Sequence, residues 1–577
     1  MSKARNNLPK YLNKYITTQD YSKYNAIDQA VWRYIMFISV PFYEKYAHSV
    51  YLEGLEKTGI PLNHIPKIDE MDEKLDQFGW GAVAVKGFIP PTAFMDMLAN
   101  KVLAIGVDIR TAEHLMYTPA PDIIHETAGH APIIADKDYA NYLCSYGEVS
   151  KMAISSEEDN EVYEIIRKLS DLKEDPNASR EEIEQYEKSL IDISTKDTIV
   201  SEAAELARMN WWTAEYGMIG SIDNPKIYGA GLLSSVIEGF ESINPKVKKI
   251  KYDLNCINYN YDITEPQPQL FVTEDFKNLK IQLEKYSSKM AYLNGGSYGL
   301  EKALISKTVN TVVLDSKISI SGILKEFYTK NKGISYLQFK GPTQLCFEKD
   351  EIKNQGTEFH KEGFGCPLGR IVPINKSIFQ CDTNDLLKLG IVLGNTTTLK
   401  YASGITLTGQ IKNIQSINKK PIIITFSQCT IKDEKNIFFE PEWGNFDLIS
   451  GIEVISVHGG AADYDKFYNN NNQSLNYVQS STLTDDNKEL NEYYDYIQKV
   501  RLSEKINLDK LDQIYKNIIS NYPKEWLLLF EMLLAFEKHK NFSKLKNKIK
   551  NKLISFCNEK ENQSIIIKRG FNLIFES

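Results

Sequence analysis

The residues best able to do chemistry lie in YTPAPDIIHETAGHAPIIAD (117–136), where His125 and His130 stand five residues apart with Glu126 beside the first. This is not the HExxH spacing, in which four residues bring both imidazoles onto one helical face. Five residues advance a regular helix by about 500°, or about 140° net. Both rings can meet one metal only if the helix ends or distorts, and Gly129 permits that. By spacing alone the pair is either a metal site or two structural histidines. A third ligand candidate stands in NWWTAEYG (210–217), where Glu215 sits inside an aromatic, apolar helical stretch. A carboxylate there is costly unless it is paired or binds a metal. Two histidines and one carboxylate make the facial triad of non-haem Fe(II) oxygenases, which leaves three coordination positions open. Asp122, three residues before His125, either orients an imidazole or caps a helix N-terminus.

These residues need elements to carry them. AIDQAVWRYIMFISVPFYEKYAHSVYLEGLEK (26–57) has dense apolar positions at helical spacing, and IDEMDEKLDQFG (68–79) reads as a short amphipathic helix ended by Gly79. The stretch 81–106 reads as a strand, a Pro-Pro turn and a helix. Residues 155–195 read as a helical hairpin: Val162, Ile165, Ile166, Leu169 and Leu172 form one stripe, and Ser179 with Glu182 makes a capping-box pattern before the second. GGSYG (295–299) reads as a hinge, after which short β-branched runs predict a β-rich domain over 305–460. NNNN (469–472) reads as a polar linker, and from 486 to 577 the pattern is helical again. The fold class expected is therefore α+β.

Composition narrows the function. Hydrophobic residues make up 42% and charged residues 25% of the 577, the balance of a folded globular chain with room for three to four domains. A net charge of −8 argues against a general nucleic-acid binder. Seven scattered cysteines without a CxxC pair argue against a disulfide framework and for a reducing, cytoplasmic setting. The first residues show no apolar leader, and WLLLFEMLLAF (526–536), interrupted by Glu531, is too short for a membrane span and reads as a buried helix.

PDIIHETAGH resembles the signature of the pterin-dependent aromatic amino acid hydroxylases, Pro-Asp-x-x-His-Glu-x-x-Gly-His. MYTPAPD before it, WWTAEYG with its glutamate, IYGAGLLSS (227–235) and YDITEPQPQLFVTEDF (261–276) follow the family in order. The resemblance covers roughly 10–300, taken as a catalytic domain over 1–300, with 155–195 as an added insertion. It offers no counterpart to the regulatory domain or tetramerisation helix of the animal enzymes, leaves about 270 residues unmatched, and leaves the oligomeric state open.

The resemblance implies that His125, His130 and Glu215 bind Fe(II), with tetrahydropterin beside the iron. Phe94 falls where the family stacks a ring on the pterin, Gly87, Ile89 and Pro91 belong to the adjoining loop, and Glu126 matches the position that meets the pterin edge or a bridging water. Arg110 matches the arginine that clamps the substrate carboxylate. Thr118, Gly231 and Ser234 match neighbours of the same head group, and Trp211, Tyr216 and Pro121 match the ring pocket. Trp211 and the aliphatic Ile263 together point to L-phenylalanine as substrate and L-tyrosine as product, with O₂ and reduced pterin consumed. A tryptophan hydroxylase is the alternative within the family. A zinc hydrolase on the same ligands, with Glu126 as general base, is the alternative outside it. The C-terminal half has the makings of a binding module: its histidines (360, 458 and 539) are dispersed, Cys366 lacks a base partner, and the lysines of 539–552 read as a solvated helix face.

Overall fold

The computed structural model describes all residues except 88, 113–114, 117–120, 175–177, 195–199, 262–265, 332, 469–484, 503–506, 538–542, 560–562 and 576–577. The first long helix, Ala26–Tyr46 (called the first helix below), starts at a complete capping box in which the Asn25 side chain accepts from the amides of Ile27 and Asp28 and Asp28 reaches back to the Asn25 N–H at 2.9 Å. The 26–57 periodicity does not give one helix. The chain breaks after Tyr46 because Ala47 bridges Ile227 and His48 N–H donates to the Ile227 carbonyl at 2.8 Å, and Val50–Lys57 then forms a second helix. Ile68–Leu75 is helical and the chain leaves it at Gly79 with φ +72°, as expected.

The stretch 81–106 departs from expectation at its end. The helix is Pro91–Ala99, and Val102–Gly106 is a buried strand lying parallel to Gly81–Val85, with Val85 opposite Gly106. A short continuous apolar run such as VLAIG fits a buried strand or a helix by pattern, and pairing decided it. Because the two strands are parallel, the loop from Gly87 to Pro91 and the segment leading to Arg110 leave at the same end. From there Ile123 N–H donates to the Asp108 carbonyl at 2.9 Å, which ties the histidine-bearing helix to that end. A four-stranded mixed sheet runs in the order Asn224–Ile227, Met218–Ser221, Gln269–Thr273, Lys248–Lys251. The insertion is a pair of helices, Glu157–Glu174 and Arg180–Ser194, as the stripes predicted.

Gly295 and Gly296, with φ +48° and +55°, join the helices Ala291–Asn294 and Gly296–Ser306. They are not a free hinge: a Cβ on Gly295 would lie 2.6 Å from the Ile455 carbonyl carbon, so the junction is packed onto the strand Val454–Gly459. Two antiparallel sheets follow. One runs through Val309–Leu314, Ile318–Lys330 and Gly333–Phe347 and is closed by Val454–Gly459; the other is centred on Thr406–Ile417 and Lys420–Lys432. Leu300, Ala303 and Ile154 belong to the core of the first sheet, which therefore grips the preceding helical region.

The C-terminal helices do not stand apart. The helix Leu527–Glu537 is buried from Leu527 to Leu533, as expected, and packs in one continuous core with the first helix: Tyr34 makes edge contacts with Trp526 and Phe530, both with ring centroids 4.8 Å away. Glu531 is held by Arg33 (2.9 Å) and Arg501 (2.8 Å). On the helix Ser543–Cys557, Leu545, Ile549 and Leu553 turn inward and Lys544 and Lys548 outward, the solvated face expected. Cys366 is fully buried, and burial pushes its thiol far above its ordinary pKa. Among the described residues no helix is long and apolar enough to cross a membrane.

Candidate iron centre

The five-residue spacing is accommodated by a widened helical turn. His125–His130 is a π-helical segment, closed by the Ala131 N–H bonding back five residues to the Glu126 carbonyl. A π turn holds more residues than an α turn, so positions five apart come back to nearly one face. Glu215 arrives by the same device: Trp211–Glu215 is also π-helical, and Tyr216 N–H donates to the Trp211 carbonyl at 2.8 Å. Gly129 serves a different purpose from the one expected. It keeps helical geometry, and a Cβ there would lie 2.8 Å from the Ala230 carbonyl oxygen, so its smallness lets the helix Ala230–Ser234 pack directly beneath the histidines.

The three side chains converge. Glu215 Oε2 lies 3.2 Å from His125 Nε2 and Oε1 lies 3.3 Å from His130 Nε2. One ligand atom from each residue can be chosen so that all three lie within 4.8 Å of one another. Ligand atoms about 2.1 Å from an ion and at right angles to each other stand about 3 Å apart, which the two Glu215–imidazole distances approach, so the set has the ligands for one protein-bound face of a six-coordinate cation. Burial alone would raise the pKa of Glu215, but the facing imidazoles of His130 and His125 reverse this and hold it far below the usual carboxylate range. Glu126 is buried with Oε2 unpartnered, and burial, reinforced by Glu215 and Asp122 against the pull of His130, pushes it up to about 8.

Around the triad, Asp122 does not touch an imidazole. It accepts from the His125 backbone N–H (3.0 Å) and from Arg110 Nε (2.7 Å) and Nη2 (2.8 Å), so it caps the helix and anchors the arginine. Burial opposes its charge, but Arg110 more than offsets that and keeps the carboxyl below its ordinary range. Arg110 Nη1 donates to the Ser234 carbonyl at 3.2 Å, and Ser234 Oγ lies 3.1 Å from His125 Nδ1.

Trp211 stacks on Tyr216 (4.6 Å) and on Tyr261 (4.3 Å), and its Nε1–H donates to Gln267 Oε1 at 3.1 Å. Gln267 N–H and Tyr216 O–H both donate to Glu238, at 2.9 and 2.8 Å, which closes a loop of contacts. A Cβ on Gly231 would lie 2.8 Å from the Tyr216 ring, so that glycine is the floor under it. Tyr261, Glu238 and Gln267 were not foreseen, because nothing local in the sequence marks them; only their convergence on Trp211 and Tyr216 does. Gly87 takes φ +61° in an exposed loop, Pro91 opens its helix, and Ile89 and Phe94 pack half-buried against Leu12, Val85 and Met97. Pro121 is exposed at the entrance to the histidine helix. Thr118 and Ile263 lie outside the described residues.

A triad of two imidazoles and one carboxylate, buried at His130 and half-buried at His125 and Glu215, with the Trp211 and Tyr216 rings on either side of the carboxylate in the chain, has the ligand set of a non-haem iron site. Residues 3–167 and 181–335, more than half of the chain, match the family described as biopterin-dependent aromatic amino acid hydroxylase, and the chain belongs to that family. The match pauses inside the helical insertion. The phenylalanine-4-hydroxylase of Mesorhizobium japonicum is 29% identical over 270 residues, which is 46% of this chain and 82% of that protein. The one from Pseudomonas aeruginosa is 27% identical, over 44% of this chain and 81% of its own length. The tyrosine 3-monooxygenase of Rattus norvegicus is 27% identical over 46% of each chain. Among solved structures, phenylalanine hydroxylase of Chromobacterium violaceum with bound iron(III) and 7,8-dihydrobiopterin is 25% identical, with a TM-score of 0.37, over 48% of this chain and 85% of that one. The family works with non-haem iron and biopterin, and His125, His130 and Glu215 supply the iron-binding triad.

Proposed function

We propose that this chain hydroxylates L-phenylalanine to L-tyrosine with O₂ and a tetrahydropterin. The observation that carries the reading is the Trp211–Tyr216 stack, whose two rings flank Glu215 in the chain, with Arg110 bonded to the Ser234 carbonyl and the Ser234 hydroxyl at His125. Two of the relatives named above act on phenylalanine by name, which supports the substrate, and the rat relative is named for tyrosine.

When bound, iron and reduced pterin supply the activation of O₂ for ring hydroxylation. The protein's own residues hold and orient. A guanidinium has five N–H donors. Asp122 takes one each from Nε and Nη2 of Arg110 and the Ser234 carbonyl takes one from Nη1. Two remain, one on each terminal nitrogen, forming the end-on fork that a carboxylate accepts in bidentate fashion. Arg110 is thus the anchor for the amino acid carboxylate, with Gly231 and Ser234 near it and Thr118 assigned there by the family resemblance. Trp211, Tyr216 and Pro121 are assigned to the ring pocket, and by the same resemblance Ile263; an aliphatic residue at that position offers no partner to a phenolic hydroxyl, which disfavours tyrosine as substrate. Phe94 stacks on the pterin, Gly87, Ile89 and Pro91 shape its loop, and Glu126 accepts from its edge. The unpartnered Glu126 Oε2 supports that role, since a buried acceptor is costly unless a ligand satisfies it.

A panel of phenylalanine, tryptophan and tyrosine with Fe(II)-loaded protein and tetrahydropterin tests this. Tyrosine formation from phenylalanine should be fastest. Faster tryptophan turnover would reassign the substrate, and hydrolysis without O₂ or pterin would return the site to a zinc hydrolase.

A further inference from the structure

The 234–241 segment is held from outside the catalytic region. Ser234 contacts His125 and Arg110, and Glu238 receives Tyr216 and Gln267, so both ends of this short stretch bear on the site. Between them, the Val236 carbonyl accepts from Nη1 of Arg569, which lies on the C-terminal helix Ser564–Phe575. The same guanidinium lies over the Phe240 ring at 4.0 Å and 3.5 Å from Glu241. The helix that carries it is fastened to the first helix: Tyr34 O–H donates to the Ile566 carbonyl at 2.7 Å, and a Cβ on Gly570 would lie 2.6 Å from that hydroxyl. Arg569 also borders a cavity of about 380 Å³ shared with Phe42, Phe240 and Leu573.

We infer that Arg569 is a positioning residue for the aromatic amino acid, clamping the 234–241 segment so that Ser234 and Glu238 hold the head-group and ring sides of the substrate site in register. This rests on the function proposed above. It gives the C-terminal helices a part in substrate binding: they brace the segment that the substrate meets. Ile89 and Phe94 pack against a different cluster, around Leu12 and Met97, and are outside this load path.

The test compares full-length iron-loaded Arg569→Ala and Phe240→Leu with wild type, reading kcat, the KM for phenylalanine and the KM for tetrahydropterin separately. In Arg569→Ala the phenylalanine KM should rise about tenfold while kcat falls less than about threefold and the pterin KM holds. Phe240→Leu should raise it about threefold by loosening the seat of the guanidinium, and it decides the matter alone if Arg569→Ala does not fold. Amide exchange over 234–241 should quicken about tenfold in either variant. Folded variants with an unchanged phenylalanine KM and unchanged exchange, or with both KM values and kcat altered in proportion, would overturn the inference. If wild type hydroxylates no aromatic amino acid, the functional reading fails instead, and the exchange measurement still judges the brace.

Discussion

His125 Nδ1 and Ser234 Oγ lie 3.1 Å apart, and the same hydroxyl donates its proton to the Ala230 carbonyl at 2.8 Å. A hydroxyl has one proton, so toward His125 it accepts, and the imidazole carries its hydrogen on Nδ1. In the neutral imidazole that makes Nε2, 3.2 Å from Glu215 Oε2, the nitrogen with a lone pair to give to a metal in place of a proton shared with the carboxylate. The order of hydrogen bonds along a helix of five residues thereby sets the tautomer a metal needs.

Removing that acceptor should cost metal affinity. Ser234→Ala is expected to weaken Fe(II) binding by about 10- to 100-fold, the range seen when the partner of a metal-bound histidine is lost. Competition against a coloured chelator measures it, and affinity equal to wild type would show that the serine does not orient His125.

The triad itself should behave as a unit. His125→Ala is expected to abolish hydroxylation and to remove the rise in melting temperature that Fe(II) gives the wild-type apoprotein, because a ligand that binds only the folded state stabilises it. A variant still stabilised by iron would place the metal elsewhere.

Gly129→Ala drives a methyl group into backbone, with the Ala230 carbonyl oxygen 2.8 Å from the new carbon. Backbone cannot rotate away, so overpacking should cost about 1–3 kcal/mol in urea unfolding. Neutral behaviour in that titration would mean that the two helices separate more easily than their contact suggests.

The buried ion pair between the first helix and the C-terminal helices should be equally exacting. Glu531 is 2% exposed and answers both Arg33 and Arg501. Glu531→Gln takes the counter-charge from the buried Arg33 guanidinium, and is expected to cost about 3–5 kcal/mol. Loss of under 1 kcal/mol by denaturant midpoint would indicate that water already reaches the pair.

Ring selectivity should follow Trp211. Its indole stacks between Tyr216 and Tyr261 and is pinned by Gln267. Trp211→Phe empties part of that wall and removes the pin, and should shift the kcat/KM ratio of tryptophan over phenylalanine upward by about tenfold. An unchanged ratio in a competition assay would remove Trp211 from the ring pocket.

Much of the centre was legible in residue types. His125, His130 and Glu215 announced themselves because a carboxylate in an aromatic stretch and two close imidazoles need a common reason. The capping box at Asn25, the stripes of the 155–195 insertion and the buried run 526–536 were legible too, because caps and periodicities are local. What the sequence by itself determined was thus the ligand set, the family and the alternation of helical and β-rich regions. Tertiary structure alone decided the rest. Pairing with Gly81–Val85 made Val102–Gly106 a strand, packing against Ile455 turned Gly295 from a hinge into a joint, and Arg33 drew Glu531 into one core with the catalytic helices. Tyr261, Glu238, Gln267 and Arg569 acquired their places the same way. Contacts between residues tens to hundreds of positions apart leave no period or motif in the chain, and they exist only once the backbone has brought the partners together.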